Sequence, residues 1–277
     1  MDTYAAAADI VRQHDRDRYL ADLFAPEAAR KHLFALHAFD VETARIRYAV
    51  SEPMLGEIRL QWWRDVLTGK GEGGGHPVAA ALLETIRTFG LPLAAFDALL
   101  AARVFDLYAD PMPSLADLEG YAGETTSALI QLGALVLAGG SDPGSAEAAG
   151  HAGVAILLAR LIARLPEDAR RRQMFLPKAL FLAHGVEVEQ VYDRTAGPGL
   201  VAALGELRAI ARRHVAAAEA AMTALPRSVG PAFLPLALVE PELQRQERHA
   251  ARPLQPLTPL PGWRRQLTLW RAARRWR

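Results

Sequence analysis

The chain has 277 residues, a hydrophobic fraction of 51% and a formal net charge of +1 at pH 7. This length fits one large domain or two small ones, and the composition provides for a sizeable apolar core. The near-neutral charge argues against a nucleic-acid-binding protein, and the absence of cysteine excludes disulfides and thiolate metal sites.

The residue pattern predicts a succession of helices. Alanine and leucine outnumber β-branched residues, which favours helix over strand, and proline or glycine marks most of the boundaries. The sequence KGEGGG at 70–75 predicts a loop, and Ser114 is a predicted helix cap. The predicted helices cover residues 2–20, 27–50, 53–69, 77–89, 93–109, 114–138, 145–165, 178–184, 197–224 and 228–250, with a short helix after residue 262.

No strand alternation and no tandem repeat is present in the sequence. We therefore predict an all-α domain over residues 1–250, followed over 251–277 by a proline-rich linker and a basic amphipathic helix. The N-terminus lacks the pattern of a secretory signal, and no uninterrupted apolar stretch reaches about 18 residues. We expect a cytoplasmic protein that associates peripherally with the inner membrane.

The segment from Leu158 to Pro177, LARLIARLPEDARRRQMFLP, carries the strongest motif. An apolar helical run leads into Glu167-Asp168, three arginines and Phe-Leu-Pro. This register resembles LTNILRDVxEDxxxGRxYLP, a helix of the squalene/phytoene synthase family. The segment from Leu23 to Phe39 resembles the entry to that family's first Asp-rich helix, with Arg30 at an arginine position. The resemblance implies an isoprenoid-synthase-type bundle of antiparallel helices around a central cavity.

In that family, two acidic clusters on facing helices hold Mg²⁺ ions, which in turn hold prenyl diphosphates. In this chain the aspartate positions of the first cluster fall on Ala44, Arg45 and Tyr48. In the second cluster Asp168 remains, but Arg164 replaces its partner. A guanidinium repels a metal ion, and Arg164 is placed to pair with Asp168 at i, i+4 or to bind a phosphate directly. We therefore predict no metal site and assign no catalytic residue.

A set of cationic, acidic and aromatic residues around this motif forms the predicted substrate site. The candidates are Arg30, Arg164, Glu167, Asp168, Arg170, Arg171 and Phe175. The alternative for Glu167-Asp168 is an acidic pair bonded to neighbouring arginines. The alternative for the arginine run is a solvated face near a helix C-terminus, where cations suit the helix dipole. The eight histidines show no spacing typical of a zinc site.

The last sixteen residues, GWRRQLTLWRAARRWR, contain three tryptophans and six arginines. A basic amphipathic helix with tryptophans is typical of binding to a membrane surface. The alternative is a tail helix docked on the domain with its arginines in water. The predicted membrane or partner contacts are Trp263, Arg264, Leu267, Trp270, Arg271 and Arg274.

Several segments resemble one branch of the family, the assembly factors of mitochondrial complex I. They are the sequences from Phe39 to Glu42, from Val50 to Pro53, from Leu60 to Trp63, and from Phe175 to Pro177. The resemblance implies a catalytically degenerate protein that assists respiratory complex I, with a complex subunit as partner and a prenyl diphosphate or lipid in the cavity. Two alternatives stay open: an active head-to-head prenyltransferase with Mg²⁺ as its cofactor, and a metal-independent isoprenoid- or lipid-diphosphate-binding protein.

Overall fold

The computed structural model describes residues 2–71, 75–195 and 197–276. In those ranges the chain forms fifteen α-helices and no β-strand, which confirms the all-α prediction. The helices are α1 (Thr3–His14), α2 (Arg16–Asp22), α3 (Glu27–Ala49), α4 (Pro53–Leu67), α5 (Pro77–Phe89), α6 (Leu93–Ala102), α7 (Leu115–Ala122), α8 (Ala128–Leu137), α9 (Ala146–Arg170), α10 (Lys178–Ala183), α11 (Val188–Tyr192), α12 (Pro198–Met222), α13 (Gly230–Phe233), α14 (Val239–Arg248) and α15 (Gly262–Ala273). Short 3-10 segments occur at Phe105–Leu107, Arg227–Val229, Leu234–Leu238 and Arg274–Trp276, and a π-helical turn at Gly123–Ser127.

Local sequence signals explain many of the helix ends. Pro77 and Pro198 stand at the first positions of α5 and α12, where a missing N–H breaks no helical hydrogen bond. The Ser114 hydroxyl accepts the backbone N–H of Asp117 at 3.2 Å, as predicted for a helix cap. Gly90 ends α5 with φ of 60°, a left-handed conformation that glycine adopts without strain.

Some predicted helices are interrupted. The helix predicted over 2–20 divides at Asp15, whose side chain caps α2 by accepting the Arg18 backbone N–H at 3.1 Å. The helix predicted over 228–250 is replaced by short segments, because Pro231 and Pro235 lack the N–H donor that a continuous helix needs. Helix α9 continues through Pro166 to Arg170, beyond the predicted end at 165. Residues 72–74 of the predicted loop lie outside the described residues.

Two large apolar cores hold the described part of the chain together, beside a small third cluster beneath α15. One is built around α9 and α12, which pack along each other, and the other around α3 with α1 and α5. Helix α8 contacts both α3 and α9 and joins the two cores. Gly153 of α9 makes the approach to the π-helical turn possible, because a Cβ there would lie 2.1 Å from the Ser127 hydroxyl oxygen.

Within the described ranges, one helix, α9, has the length and apolar composition of a membrane span. In the structure, 67% of its most apolar 18-residue window is buried inside the protein. Since α9 is packed against α8, α12 and α14, its hydrophobicity is explained by its central place in the core.

Candidate functional site

A cavity of about 630 Å³ lies between α3 and α9. Its basic lining consists of Arg18, Arg45, Arg47, Arg103, Arg160, Arg164, Arg245 and Arg265. Its acidic lining consists of Asp15, Asp17, Asp40, Asp106 and Glu242. Apolar side chains of α9, of the 234–238 segment and of residues 257–260 supply most of the remaining wall. With eight arginines to five carboxylates, the lining carries a net positive charge at neutral pH.

The buried floor of this cavity is an ion-pair network centred on Asp40. Arg18 donates a short hydrogen bond to Asp40, and Arg103 donates to its other carboxylate oxygen at 2.6 Å. Arg103 also donates to Asp106 at 3.1 Å and to the Tyr121 hydroxyl at 2.6 Å, and Tyr121 donates to Asp106 at 2.8 Å. Burial alone would raise the pKa of Asp40, but the two guanidinium groups hold it well below its ordinary value. The floor is therefore charged and internally paired.

The three first-cluster positions all face the cavity. Ala44, Arg45 and Tyr48 are spaced i, i+1 and i+4 along α3 and line the wall together. Arg45 donates to Nδ1 of His14 at 3.1 Å, and burial together with this guanidinium lowers the pKa of His14. The positions that would carry metal-binding carboxylates thus present a methyl group, a guanidinium and a phenol.

The nearby carboxylate of Glu42 lies off this wall. It does not line the cavity, and its Oε2 lies 3.4 Å from Nε2 of His76. Burial raises the pKa of Glu42 to about 7 and lowers the pKa of His76. This pair of ionisable groups lies away from the cavity.

The second-cluster position contains the predicted i, i+4 ion pair. Asp168, which is 3% exposed, accepts hydrogen bonds from Arg164 at 3.1 Å and from Arg47 at 3.4 Å. Burial raises the pKa of Asp168, with the two arginines acting in the opposite direction. Arg47 and Arg164 also both donate short hydrogen bonds to the Tyr48 hydroxyl oxygen. We call Arg47, Tyr48, Arg164 and Asp168 the Tyr48 clasp; it joins α3 to α9.

This donor set does not fit Mg²⁺, which requires several oxygen ligands in octahedral geometry. Asp168 faces two guanidinium groups, and Asp40 faces two others. Among residues 2–71, 75–195 and 197–276, no group of three or more His, Asp or Glu side chains is arranged to hold a metal ion. Arg45 and Arg164 therefore place positive charge at the two positions where bound metal ions would otherwise supply it.

The neighbouring acidic and basic candidates lie at the rim. Arg170 and Arg171 both pair with Glu167, at 3.0 and 3.1 Å, and all three side chains are about half exposed. None of them lines the cavity, although the Arg171 guanidinium lies 4.7 Å from the centre of the Tyr48 ring. This arrangement is the ion-paired alternative considered from the sequence, and a role in substrate binding stays a prediction.

The other two candidates differ in position. Phe175 is buried, lines the cavity and packs against the Arg47 guanidinium, which lies 4.4 Å from the ring centre. Arg30 lies outside the lining and donates to the carbonyl oxygens of Leu23 and Ala25 at 3.3 and 3.1 Å. These bonds tie the preceding turn to α3, and substrate binding by Arg30 stays a prediction.

Sequence analysis missed the largest part of the polar lining. Arg18, Arg47, Arg103 and Tyr121 belong to no motif, and each has a partner in the site that is 15 to 121 residues away along the chain. The one available signal was the Asp40 position, a charged residue within the buried run of α3 between Leu33 and Val41. A charge in such a run requires a buried counter-ion, but the sequence does not identify it.

The C-terminal helix α15 is docked through one face and open on the other. Leu269 and Ala273 are buried, whereas Trp263 and Trp270 are 61% and 45% exposed. The predicted contact residues Arg264, Arg271 and Arg274 are exposed, and Leu267 is half-buried. The outer face borders a groove of about 320 Å³ between α14 and α15, which Trp263, Leu267 and three arginines line.

Comparison with known proteins gives consistent results for sequence and fold. The model of the family described as squalene/phytoene synthase matches residues 11–271. Complex I assembly factor 6 from Rattus norvegicus is 28% identical over 249 residues, which cover 89% of this chain and 74% of the rat protein. Presqualene diphosphate synthase from Rhodopseudomonas palustris is 30% identical over 217 residues, 76% of each chain. A solved dehydrosqualene synthase superposes with a TM-score of 0.83 at 18% identity, covering 99% of this chain and 96% of that one.

Proposed function

We propose a non-catalytic function for this chain, which belongs to the squalene/phytoene synthase family: it acts as an assembly or chaperone factor for respiratory complex I at a membrane surface. The observation that carries the proposal is the Tyr48 clasp. Tyr48 and Arg164 occupy the positions of metal-binding aspartates in the two clusters, and they are hydrogen-bonded to each other across α3 and α9. The two helices are thus hydrogen-bonded directly to each other at the place where a synthase of the family would bind its metal ions and substrate.

The chemistry of head-to-head condensation supports this conclusion. An allylic diphosphate leaves only when its developing negative charge is neutralised, and in the family Mg²⁺ performs this task. The carboxylates near the cavity are already engaged by guanidinium groups, because Arg18, Arg103 and Arg164 pair with Asp40 or Asp168. Metal binding would have to break these buried pairs, which is strongly unfavourable.

The choice of complex I rests on the similar proteins. The rat relative is described as complex I assembly factor 6, and its similarity extends over most of both chains. The enzymes among the relatives share the fold but require metal positions that this chain has replaced. We therefore infer that the partner is a subunit of a respiratory complex, and that the helical scaffold was retained while its synthase chemistry was lost.

A membrane location is supported by the outward face of α15. Trp263 and Trp270 stand on this face with Arg264 and Arg271, so that indole rings and positive charges point away from the domain. Indoles favour the interfacial region of a bilayer, and each arginine near an anionic surface adds about 1 kcal/mol of binding. We propose that α15 holds the protein peripherally on an anionic leaflet.

Deletion of the gene tests the main proposal. We expect loss of NADH oxidation by complex I in isolated membranes, an unchanged isoprenoid profile, and recovery of both assembly and activity on re-expression. Normal complex I activity in the deletion strain would refute the assembly role. The purified chain, incubated with farnesyl or geranylgeranyl diphosphate and Mg²⁺, is expected to form no C30 or C40 product; enzyme-dependent product would support the prenyltransferase alternative instead.

A further inference from the structure

Two histidines from different helices meet outside the cavity. His151 of α9 and His214 of α12 lie with their Nδ1 atoms 3.0 Å apart and their ring centres 5.1 Å apart. Neither residue lines the cavity, and both are partly exposed, so solvent reaches the pair. They are 63 residues apart along the chain, which explains why the spacing of histidines in the sequence gives no indication of the pair.

Small side chains allow the two helices to approach each other at this point. Each histidine is flanked, three residues before it and four residues after it, by alanines on the same helical face. These alanines are all buried: Ala148 and Ala155 on α9, and Ala211 and Ala218 on α12. Because this packing is close, the two backbones hold the imidazole rings in fixed relative positions.

A carboxylate from a third helix lies behind the pair. Nε2 of His214 lies 3.3 Å from Oε1 of Glu119 on α7. This contact favours the tautomer of His214 with its hydrogen on Nε2, so that Nδ1 carries a lone pair that faces His151. Burial lowers the pKa of His214, although Glu119 acts in the opposite direction, and the neutral imidazole is the form that binds a metal ion.

We propose that His151 and His214 bind one Zn²⁺ ion through their Nδ1 atoms. Tetrahedral Zn²⁺ with Zn–N bonds of about 2.0–2.1 Å places two ligand nitrogens about 3.3–3.4 Å apart. The observed separation of 3.0 Å therefore has to increase by only about 0.3–0.4 Å. The hydrogen that His151 now donates from Nδ1 would move to its Nε2 through water, so both imidazoles stay neutral and no proton is gained or lost.

Glu119 would act on the ion through His214. A carboxylate that accepts the other ring N–H of a ligand histidine orients the ring and makes it a stronger ligand. Since the protein supplies two ligands, water would complete the tetrahedron. The ion would link α9 to α12 directly and α7 through Glu119, and would stabilise the folded chain. This site is separate from the cavity and independent of the proposed assembly role.

Calorimetric titration of the untagged full chain with Zn²⁺ tests the site, and a thermal melt measures its effect on the fold. We expect one ion per chain, and a melting temperature about 3 °C higher at a tenfold excess of free Zn²⁺ over the dissociation constant. His214→Ala removes a ligand and should abolish both effects, whereas Glu119→Gln should weaken binding about tenfold. His184→Ala is the matched control, because His184 also pairs with a glutamate, Glu206 at 2.8 Å, and contacts no second imidazole among the described residues.

Cu²⁺, which binds imidazole more tightly than Zn²⁺, gives a spectroscopic readout. Its electron paramagnetic resonance spectrum is expected to show two coordinated nitrogens in the wild type, and this pattern should be absent in His151→Ala. Undetectable binding at millimolar Zn²⁺ would overturn the proposal. Equal affinity of the wild type and His151→Ala would also overturn it and assign the bound zinc to scattered surface histidines. Melts of each variant in EDTA, with His151→Gln as a second replacement that keeps a polar side chain, distinguish lost binding from lost folding.

Discussion

Replacement of Asp40 by asparagine removes the central charge of the cavity floor while keeping the volume of the side chain. Asp40 is 6% exposed and bonded to Arg18, which is buried, and to Arg103, which is largely buried. Without the carboxylate, two guanidinium groups would remain in a poorly hydrated environment, and each would keep one other acid: Asp15 at 3.6 Å from Arg18, and Asp106 at 3.1 Å from Arg103. Asparagine can accept one of the lost hydrogen bonds but cannot neutralise either charge.

The expected loss follows from this geometry. Breaking a buried ion pair by removing one partner costs about 3–5 kcal/mol, because it leaves an uncompensated charge. Asp97 provides the control: its side chain is 68% exposed and pairs with Arg64 at 3.0 Å. Exposed pairs contribute about 0–1 kcal/mol. We expect Asp40→Asn to lower the free energy of unfolding by about 3 kcal/mol or more, and Asp97→Asn by at most about 1 kcal/mol.

Urea unfolding followed by circular dichroism measures the free energy of unfolding of both variants. Their midpoints can be compared if the free energy depends on urea concentration with the same slope in each. The pH dependence gives an independent check. Since the pKa of Asp40 is held below its ordinary value by Arg103 and Arg18, its contribution is present above the unfolded pKa and is lost as the pH falls through the folded pKa. The difference between wild type and Asp40→Asn should therefore shrink below about pH 4. Equal stability of the two variants at pH 7 would refute the network as a source of stability.

Three further predictions concern other parts of the molecule. Burial raises the pKa of Glu42 to about 7, so its contribution to stability is present below pH 4.5 and is lost as the pH rises through 7. The free energy of unfolding of the wild type should therefore decrease between pH 5.5 and 8.5, and Glu42→Gln should remove up to about 2 kcal/mol of this decrease in urea titrations. An unchanged pH profile in the variant would contradict this. Gly153→Ala should lower the melting temperature by several degrees, because its Cβ would meet the backbone of Ser127 at 2.5 Å; a normal melt would show that α9 can shift. Replacing Trp263 and Trp270 by alanine should weaken sedimentation with anionic vesicles at least about tenfold, with neutral vesicles as control; undiminished binding would place the membrane contact elsewhere.

Local signals in the sequence predicted the helices well, since the interactions that define them are local. Ser114 caps its helix and Gly90 ends another through bonds within a few residues. The prediction failed where contacts between distant parts of the chain decide how a helix ends. Asp15 is polar within an apparently continuous helical pattern, and only the structure shows that its side chain caps a second helix and pairs with Arg160 of α9 at 3.2 Å. A cap of this kind depends on the direction that the chain takes in the fold.

The site was predictable only where its partners lie on one helix. The Arg164–Asp168 bond follows from a four-residue spacing, and the structure contains it at 3.1 Å. The second donor to Asp168, Arg47, lies 121 residues away, and the Tyr48–Arg164 bond spans 116 residues. The alignment with the family placed Tyr48 and Arg164 at metal-binding positions, but it could not show that these two side chains bond to one another.

The tail connects the cavity with the proposed membrane face. Leu257, Pro259 and Leu260 line the cavity. Arg265 on the inner side of α15 pairs with Asp17, which also lines it. The opposite side of the same helix carries Trp263 and Trp270. One short segment, residues 257–273, thus forms both a wall of the cavity and the surface that would contact the bilayer. A lipid chain that entered the cavity from the membrane would contact this segment first. Leu260 borders both the cavity and the outer groove, so a change in its packing would alter the shape of both.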